Sequence, residues 1–336
     1  MTEARAPVAL VTGASGAIGR VLCARLCAEG WRVIGISTRD VGAGPWQLHL
    51  AADLSDPQSV CIGDRLAGEG VTVVWHLAGK AHALSELGQD PAAYGRVNTD
   101  GTRNALAIAF QIGARRFVFA SSVKAMGEGG TVPSDETALC EPQSPYGRSK
   151  LAAEQLVLAA SKHMEPVVLR FCMVYGAANE RGNMARMLEA VRRRRFPPFP
   201  ETGNRRSFLH VNDAVQACWL AGTHKAAPQG VFLVTDGRPR STAELFAAMC
   251  KALGRRVPRL VLPVLFFRAV ARVGDVCGMV VGRRAPLDSA SLAKLLESAI
   301  YSSEKISRTL GYRPAWPLER GIAAMVHPSR AKETGS

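Results

Sequence analysis

Val8-Ala9-Leu10-Val11-Thr12-Gly13-Ala14-Ser15-Gly16-Ala17-Ile18-Gly19-Arg20 is the stretch on which the fold turns. Its apolar run at 8–11 predicts a buried strand, and Arg20 to Glu29 carries helical period directly afterwards. Between them, glycines recur every third residue at Gly13, Gly16 and Gly19. In such a turn one glycine permits the tight bend, one lets backbone approach a pyrophosphate, and one lets helix and strand pack closely. The helix start then presents unpaired N–H groups and partial positive charge to a phosphate. Glycines also gather in turns for conformational reasons alone. The strand before and the helix after make this triplet read as a dinucleotide cradle, with Gly13, Ser15, Gly16, Ala17, Ile18 and Gly19 as its cofactor-binding candidates.

Outward from the turn the same rhythm repeats. Val33 to Ile36, Val71 to Trp75, Phe117 to Ala120 and Val167 to Leu169 read as further buried strands. Pro57 to Ala67, Thr102 to Ile112 and Tyr146 to His163 read as helices between them. Alternation of this kind predicts an α/β fold, a Rossmann-type doubly wound parallel sheet. After Tyr175-Gly176 the pattern loosens into loops, the basic run Arg192 to Arg195 and the Pro-rich 196–200. The expected division is a dinucleotide-binding domain at 1–176 with a returning segment at about 207–236. A smaller, mostly helical substrate lobe follows from 177–206 and 237–330, with a tail at 331–336.

The 336 residues are 47% hydrophobic and 21% charged, an ordinary globular balance that excludes a disordered or fibrous chain. Eight cysteines without a C-x-x-C pair or a Cys/His cluster suggest neither a structural zinc nor a disulfide framework, and fit reduced thiols in a cytoplasm. The N-terminal apolar stretch is too short for a signal-peptide core, so the chain is expected to begin as mature protein. Its net charge of +14 permits nucleic acid, anionic lipid or an acidic small molecule as partner. Val257 to Val281 is the most apolar segment, but arginines and Asp275 interrupt it. It reads as an amphipathic lobe helix in preference to a membrane-surface one.

Tyr146 and Lys150 stand four apart at a predicted helix start, which places both side chains on one helix face. A phenol titrates near 10 and is a poor acid–base group at neutral pH unless a cation stabilises its anion, and Lys150 is spaced to do so. Ser122 ends a central strand at the carboxyl edge of the sheet, where ligands bind. Its hydroxyl is placed to bond the same substrate oxygen that Tyr146 protonates. Ser122, Tyr146 and Lys150 are therefore the catalytic candidates.

The ordered set of Thr-Gly-x-x-Gly-x-x-Gly, Asp53-Leu54, His76-Leu77-Ala78-Gly79, Asn98, Ser122, Tyr146-x-x-x-Lys150 and Val174-Tyr175-Gly176 resembles the extended short-chain dehydrogenases/reductases. Within them it is similar to the nucleotide-sugar epimerase/dehydratase branch. The likeness runs almost the whole chain, through Arg206-Ser207-Phe208 to Leu310-Gly311-Tyr312. It implies Asp53 and Leu54 at the adenine, Leu77, Ala78, Gly79 and Asn98 along the cofactor, and Lys150 also at the nicotinamide ribose. Asn183 and Arg206 would meet the substrate's diphosphate or nucleotide. Lys124 is a further substrate-binding candidate, with a sugar hydroxyl, a phosphate and solvent all open and solvent first. Relatives often carry Asn where Met173 stands, so that residue's substrate contacts do not transfer.

The resemblance leaves several reactions open. Val123-Lys124 after Ser122 argues against dehydratases, which often carry an acidic pair there. NAD-binding relatives usually have a carboxylate at the end of strand two, whereas this chain has Ser37, then Thr38 and Arg39. That exchange favours the 2′-phosphate of NADP(H), with NAD(H) kept as the second cofactor, and tilts the reading toward a UDP-sugar 4-ketoreductase over a 4-epimerase. A non-catalytic dinucleotide sensor would have no need of all three catalytic candidates. The implied partners are a nucleotide sugar and a second subunit, with no nucleic acid, no metal and no stable membrane insertion. The implied place is the cytoplasm, with contact at the inner face of the membrane as the lesser alternative.

Overall fold

A computed structural model describes residues 6–80, 90–177, 182–258, 260–281 and 288–327. The expected tail at 331–336 lies outside them. Its strands are β1 Val8–Thr12, β2 Arg32–Ser37, β3 Leu48–Ala51, β4 Val71–His76, β5 Arg116–Ser122, β6 Glu165–Phe171, β7 Met173–Tyr175, β8 Phe208–His210 and β9 Val231–Val234. Its helices are α1 Ala17–Ala28, α2 Ile62–Leu66, α3 Ala92–Tyr94, α4 Gly101–Gln111, α5 Pro145–Ala159, α6 Asn183–Arg192, α7 Val211–Thr223, α8 Thr242–Ala252, α9 Val264–Val281, α10 Ser289–Leu296, α11 Glu304–Leu310 and α12 Leu318–Val326.

Seven strands form one sheet in the order β3-β2-β1-β4-β5-β6-β9. Every pairing is parallel. All five residues of β1 are buried, as a parallel strand covered on both faces requires. The order reverses between β1 and β4, which opens a crevice at the carboxyl ends of the strands. One face is covered by α1 and α7, and the other by α2, α4 and α5. Trp31, Trp75 and Trp219 meet edge to face between α1, the sheet and α7, and the Trp75 indole donates to the Cys218 carbonyl at 2.8 Å.

β7 and β8 make a second, two-stranded sheet. Tyr175 and Phe208 from it form a separate apolar core with α6, α8 and α12. α9 and α10 close a smaller core around Phe199.

Several local expectations change. The segment 57–67 is not one helix: Asp56 caps a tight 3-10 turn at Pro57–Cys61 by accepting from Gln58 N, and only Ile62–Leu66 is α-helical. The helix expected over 146–163 ends at Ala159 and tightens to 3-10 over Ala160–Lys162. β3 was not anticipated, because Leu48-His49-Leu50-Ala51 buries only Leu50 and lacks a continuous apolar run. α11, within the stretch assigned to the substrate lobe, packs on β9 of the large sheet through Ile306 and Leu310.

Candidate active site

The strands β1, β2, β4 and β5 each end one or two residues later than their apolar runs, and those last residues are polar. Thr12, Ser37, His76 and Ser121 are all buried there. Ser37 Oγ accepts from the Ser15 amide at 3.0 Å, so the hydroxyl at the end of β2 steadies the glycine turn directly. The first and last glycines of the turn have no room for a side chain. Gly13 has φ +67°, and a Cβ there would lie 2.7 Å from Ala78 N, while one at Gly19 would lie 2.1 Å from the Gly13 carbonyl oxygen. α1 begins with no capping side chain and no acid in its first turn, which leaves its amides free for an anion. This cradle fits a dinucleotide pyrophosphate.

A chain of hydrogen bonds ties the turn to the loop after β4. Thr12 Oγ1 pairs with His76 Nδ1 at 2.7 Å, His76 Nε2 with Thr102 Oγ1 at 3.1 Å, and Ala78 N donates to Thr12 Oγ1 at 3.2 Å. Burial, reinforced by the nearby Lys150 ammonium, lowers the His76 pKa to about 3. The ring is therefore a neutral strut and not a proton carrier at neutral pH.

α5 starts where Ser144 Oγ accepts from Gly147 N at 3.0 Å and Pro145 takes the first turn. Gly147 is needed because a Cβ would lie 2.3 Å from the Lys124 carbonyl oxygen. This start delivers Tyr146 and Lys150 to the crevice, both buried. Ser122 hydrogen-bonds the Tyr146 phenol, and the Tyr94 ring packs edge-on against Tyr146. Burial raises the phenol pKa and the Ser122 bond draws it back. Lys150 Nζ donates to the Ala120 carbonyl at 2.8 Å and lies 4.7 Å from the centre of the Phe119 ring. Burial lowers its pKa to about 8, opposed by Glu154. The Lys150 amine is thus engaged with a backbone carbonyl, and burial is the leading influence on the Tyr146 phenol.

A cavity of about 410 Å³ joins these groups to the lobe. Ile18, Leu77, Gly79, Ser122, Tyr146 and Lys150 line it from the sheet side, and Lys124, Asn183, Arg206 and Tyr301 from the other. Lys124, assigned first to solvent, lines this cavity with its ammonium paired to Glu128. Asn183 is the first residue of α6. Arg206 donates to the Lys294 carbonyl, and its backbone bridges to Arg240 and Ala299. Met173 adds to an apolar wall with Phe171, Cys172, Val174 and Met184.

The remaining candidates lie outside the cavity. Asn98 is buried and bonds Lys80 through both its carboxamide groups, while its Nδ2 also donates to Ser149 Oγ at 2.9 Å. It therefore holds the loop after β4 against α5. Thr38 and Arg39 are exposed beyond β2. Asp53 is exposed after β3, its Oδ1 accepting from Ser55 N and Oγ, and Leu54 is buried.

Sequence reasoning missed the group beneath the site. Glu154 and Arg170, 1% and 6% exposed, form a buried ion pair, and Ser121 Oγ donates to Glu154. Glu154 stands four residues after Lys150, on the same helix face as Tyr146 and Lys150. A charged residue continuing that face was the available signal.

A family model described as "NAD dependent epimerase/dehydratase family" matches residues 9–234. The chain is 30% identical to the UDP-glucose 4-epimerase of Vibrio cholerae, over 93% of this chain and 92% of that protein. It is 27% identical to the 2-alkyl-3-oxoalkanoate reductase of Stenotrophomonas maltophilia strain K279a, over 96% and 99%. Among solved structures, MoeE5 in complex with UDP-glucuronic acid and NAD superposes with a TM-score of 0.75 at 25% identity, over 96% of this chain and 99% of that one.

Proposed function

The chain belongs to the NAD dependent epimerase/dehydratase family, and from that premise we propose that it is an NADP(H)-dependent 4-ketoreductase acting on a nucleotide sugar, with UDP as the nucleotide. The observation that carries the cofactor choice is the end of β2. A buried hydroxyl, Ser37, is bonded to the glycine turn where a carboxylate would repel a 2′-phosphate, and the exposed Thr38 and Arg39 follow it. Net reduction consumes fresh NADPH, whereas an epimerase returns its hydride to the same sugar.

Bound along the glycine turn, the cofactor supplies the hydride. The chain's residues do the rest. Ser122 donates a hydrogen bond to the ketone oxygen, and Tyr146 delivers the proton to that oxygen as it gains charge. Lys150, released from the Ala120 carbonyl, balances the phenolate and holds the ribose. Asn183 and Arg206 hold the diphosphate end, Arg206 with the forked donors suited to phosphate, and Lys124 faces the substrate from the same cavity. Dimerisation through the sheet-flanking helices α4 and α5 belongs to the same reading.

A second reading, an NAD(P)-dependent UDP-hexose 4-epimerase, is favoured by the Vibrio cholerae relative. The deciding experiment incubates purified protein with a UDP-4-keto-6-deoxy-HexNAc and NADPH. Multiple turnovers of NADPH loss support the reductase. Tightly retained NAD with interconversion of UDP-glucose and UDP-galactose, and no NADPH consumption, refutes it.

A further inference from the structure

α9 carries apolar residues on two sides. Its inner side buries Phe267 and Ala271 against Leu292 of α10 and against Phe199, whose ring centre is 5.1 Å from that of Phe267. Its outer side leaves Leu265, Phe266, Val270, Val273 and Val276 in solvent, with Leu265 72% and Val273 63% exposed. Leu260 and Val261, just before the helix, are exposed as well. Among the described residues, eight of the eleven large exposed hydrophobics fall between Val257 and Val276. Such concentration is not scattered surface apolarity and marks a contact face.

The charge on that face has one sign. Arg268 and Arg272 are exposed among these apolar residues. Asp275, the single acidic residue from 255 to 281, is turned toward α10, where it accepts from Ser289 N and Oγ. The guanidinium of Arg255 donates to the carbonyls of Val191 and Arg192, which fastens the exposed Arg192–Arg195 turn beside the segment entering α9. That turn runs directly into the Phe196–Phe199 strap packed beneath α9. Arg194 and Arg195 have no carboxylate partner among the described residues. Apolar side chains flanked by unpaired arginines complement an anionic interface.

We propose that the outer face of α9, with the arginines around it, docks on an anionic lipid bilayer, the helix lying in the interface plane. No described helix is long and apolar enough to cross a membrane, and crossing is not required. At 18 residues α9 presents about 27 Å of edge to the surface. A second copy of the chain is the poorer occupant. A two-fold contact through this face would bring together two sets of Arg268 and Arg272 with no carboxylate from either α9 turned toward them. The proposal rests on α9 and its surroundings and is independent of the reaction assigned to the site.

Flotation of the full-length protein with phosphatidylcholine vesicles, with and without phosphatidylglycerol, tests it. Binding is expected only with phosphatidylglycerol and is expected to fall with added salt. Arg268→Ala and Arg272→Ala should each weaken partitioning about fivefold, and Phe266→Glu/Val273→Glu should abolish it. These positions are exposed, so circular dichroism should be unchanged. Equal recovery with and without phosphatidylglycerol, or binding indifferent to all the variants, overturns the proposal. A dimer in light scattering that Phe266→Glu dissociates would assign the face to a second copy and overturn it equally.

Discussion

Replacing Lys150 by Met should stabilise the cofactor-free protein while removing its activity. An ordinary lysine titrates at 10.5, whereas Lys150 titrates at about 8 because it is buried. The fold therefore disfavours the charged amine by about 3 kcal/mol at neutral pH. Met has a similar unbranched shape and no charge, but its introduction leaves the Ala120 carbonyl without the 2.8 Å donor, a loss of about 1–2 kcal/mol. The net gain at pH 7 is about 1–2 kcal/mol. Its pH dependence is the sharper signature. Between pH 8 and 10.5 the unfolded chain holds a proton on Lys150 that the folded chain has released, so raising the pH favours the wild-type fold. The variant's advantage should shrink by about 3 kcal/mol across that window and reverse at its upper end. Urea unfolding of both proteins at several pH values measures the difference directly, and groups common to both cancel. A difference that stays flat from pH 7 to 10.5, or a variant several kcal/mol less stable at pH 7, would refute the reasoning.

Tyr146→Phe should lower turnover by about 10²–10⁴-fold with cofactor binding nearly unchanged, as read by steady-state kinetics and fluorescence titration; wild-type turnover would exclude the phenol as proton donor. Glu154→Gln should destabilise the protein by about 3–5 kcal/mol, because it leaves the Arg170 guanidinium buried without its counter-charge, and thermal melts report this. Arg39→Ala should weaken NADPH binding with little effect on NADH, and equal losses for both would dismiss a 2′-phosphate contact. Light scattering should give the mass of a dimer, and a monomer at micromolar concentration would dismiss the α4–α5 contact.

The dinucleotide-binding half was legible because parallel strands buried on both faces announce themselves as apolar runs, as in β1 and in Val167 to Leu169 of β6. Ser122, Tyr146 and Lys150 were legible because spacing and order placed them at one sheet edge. β3 was hidden, since an edge strand buries one face and needs only Leu50. Two strand ends were hidden for a related reason. Thr12 and His76 are polar and fall just past the apolar runs 8–11 and 71–75, yet the hydrogen bond between their buried side chains lets each end its strand. The direction of the Lys150 amine was not legible either. Sequence gives its helix face, but the Ala120 carbonyl that captures it belongs to a strand thirty residues earlier. Part of the positive charge, unplaced by any motif, finds a location once Arg255 is seen joined to the 192–195 turn.

The tryptophan cluster beneath the sheet bears on how the protein is made. α1 and β4 are complete early in synthesis, but the helix that covers them, α7, comes only at residues 211–223, after β8 in the chain. Until then Trp31 and Trp75 lack the Trp219 side of their enclosure, and an apolar sheet face stays open to solvent and to chaperones. Gly222 must then seat itself where any Cβ would lie 2.0 Å from the Trp75 ring. The closing of this lid over a nascent sheet, a contact between segments far apart in the chain, is a natural slow step of folding. The indoles that meet there make it visible as a change in intrinsic fluorescence.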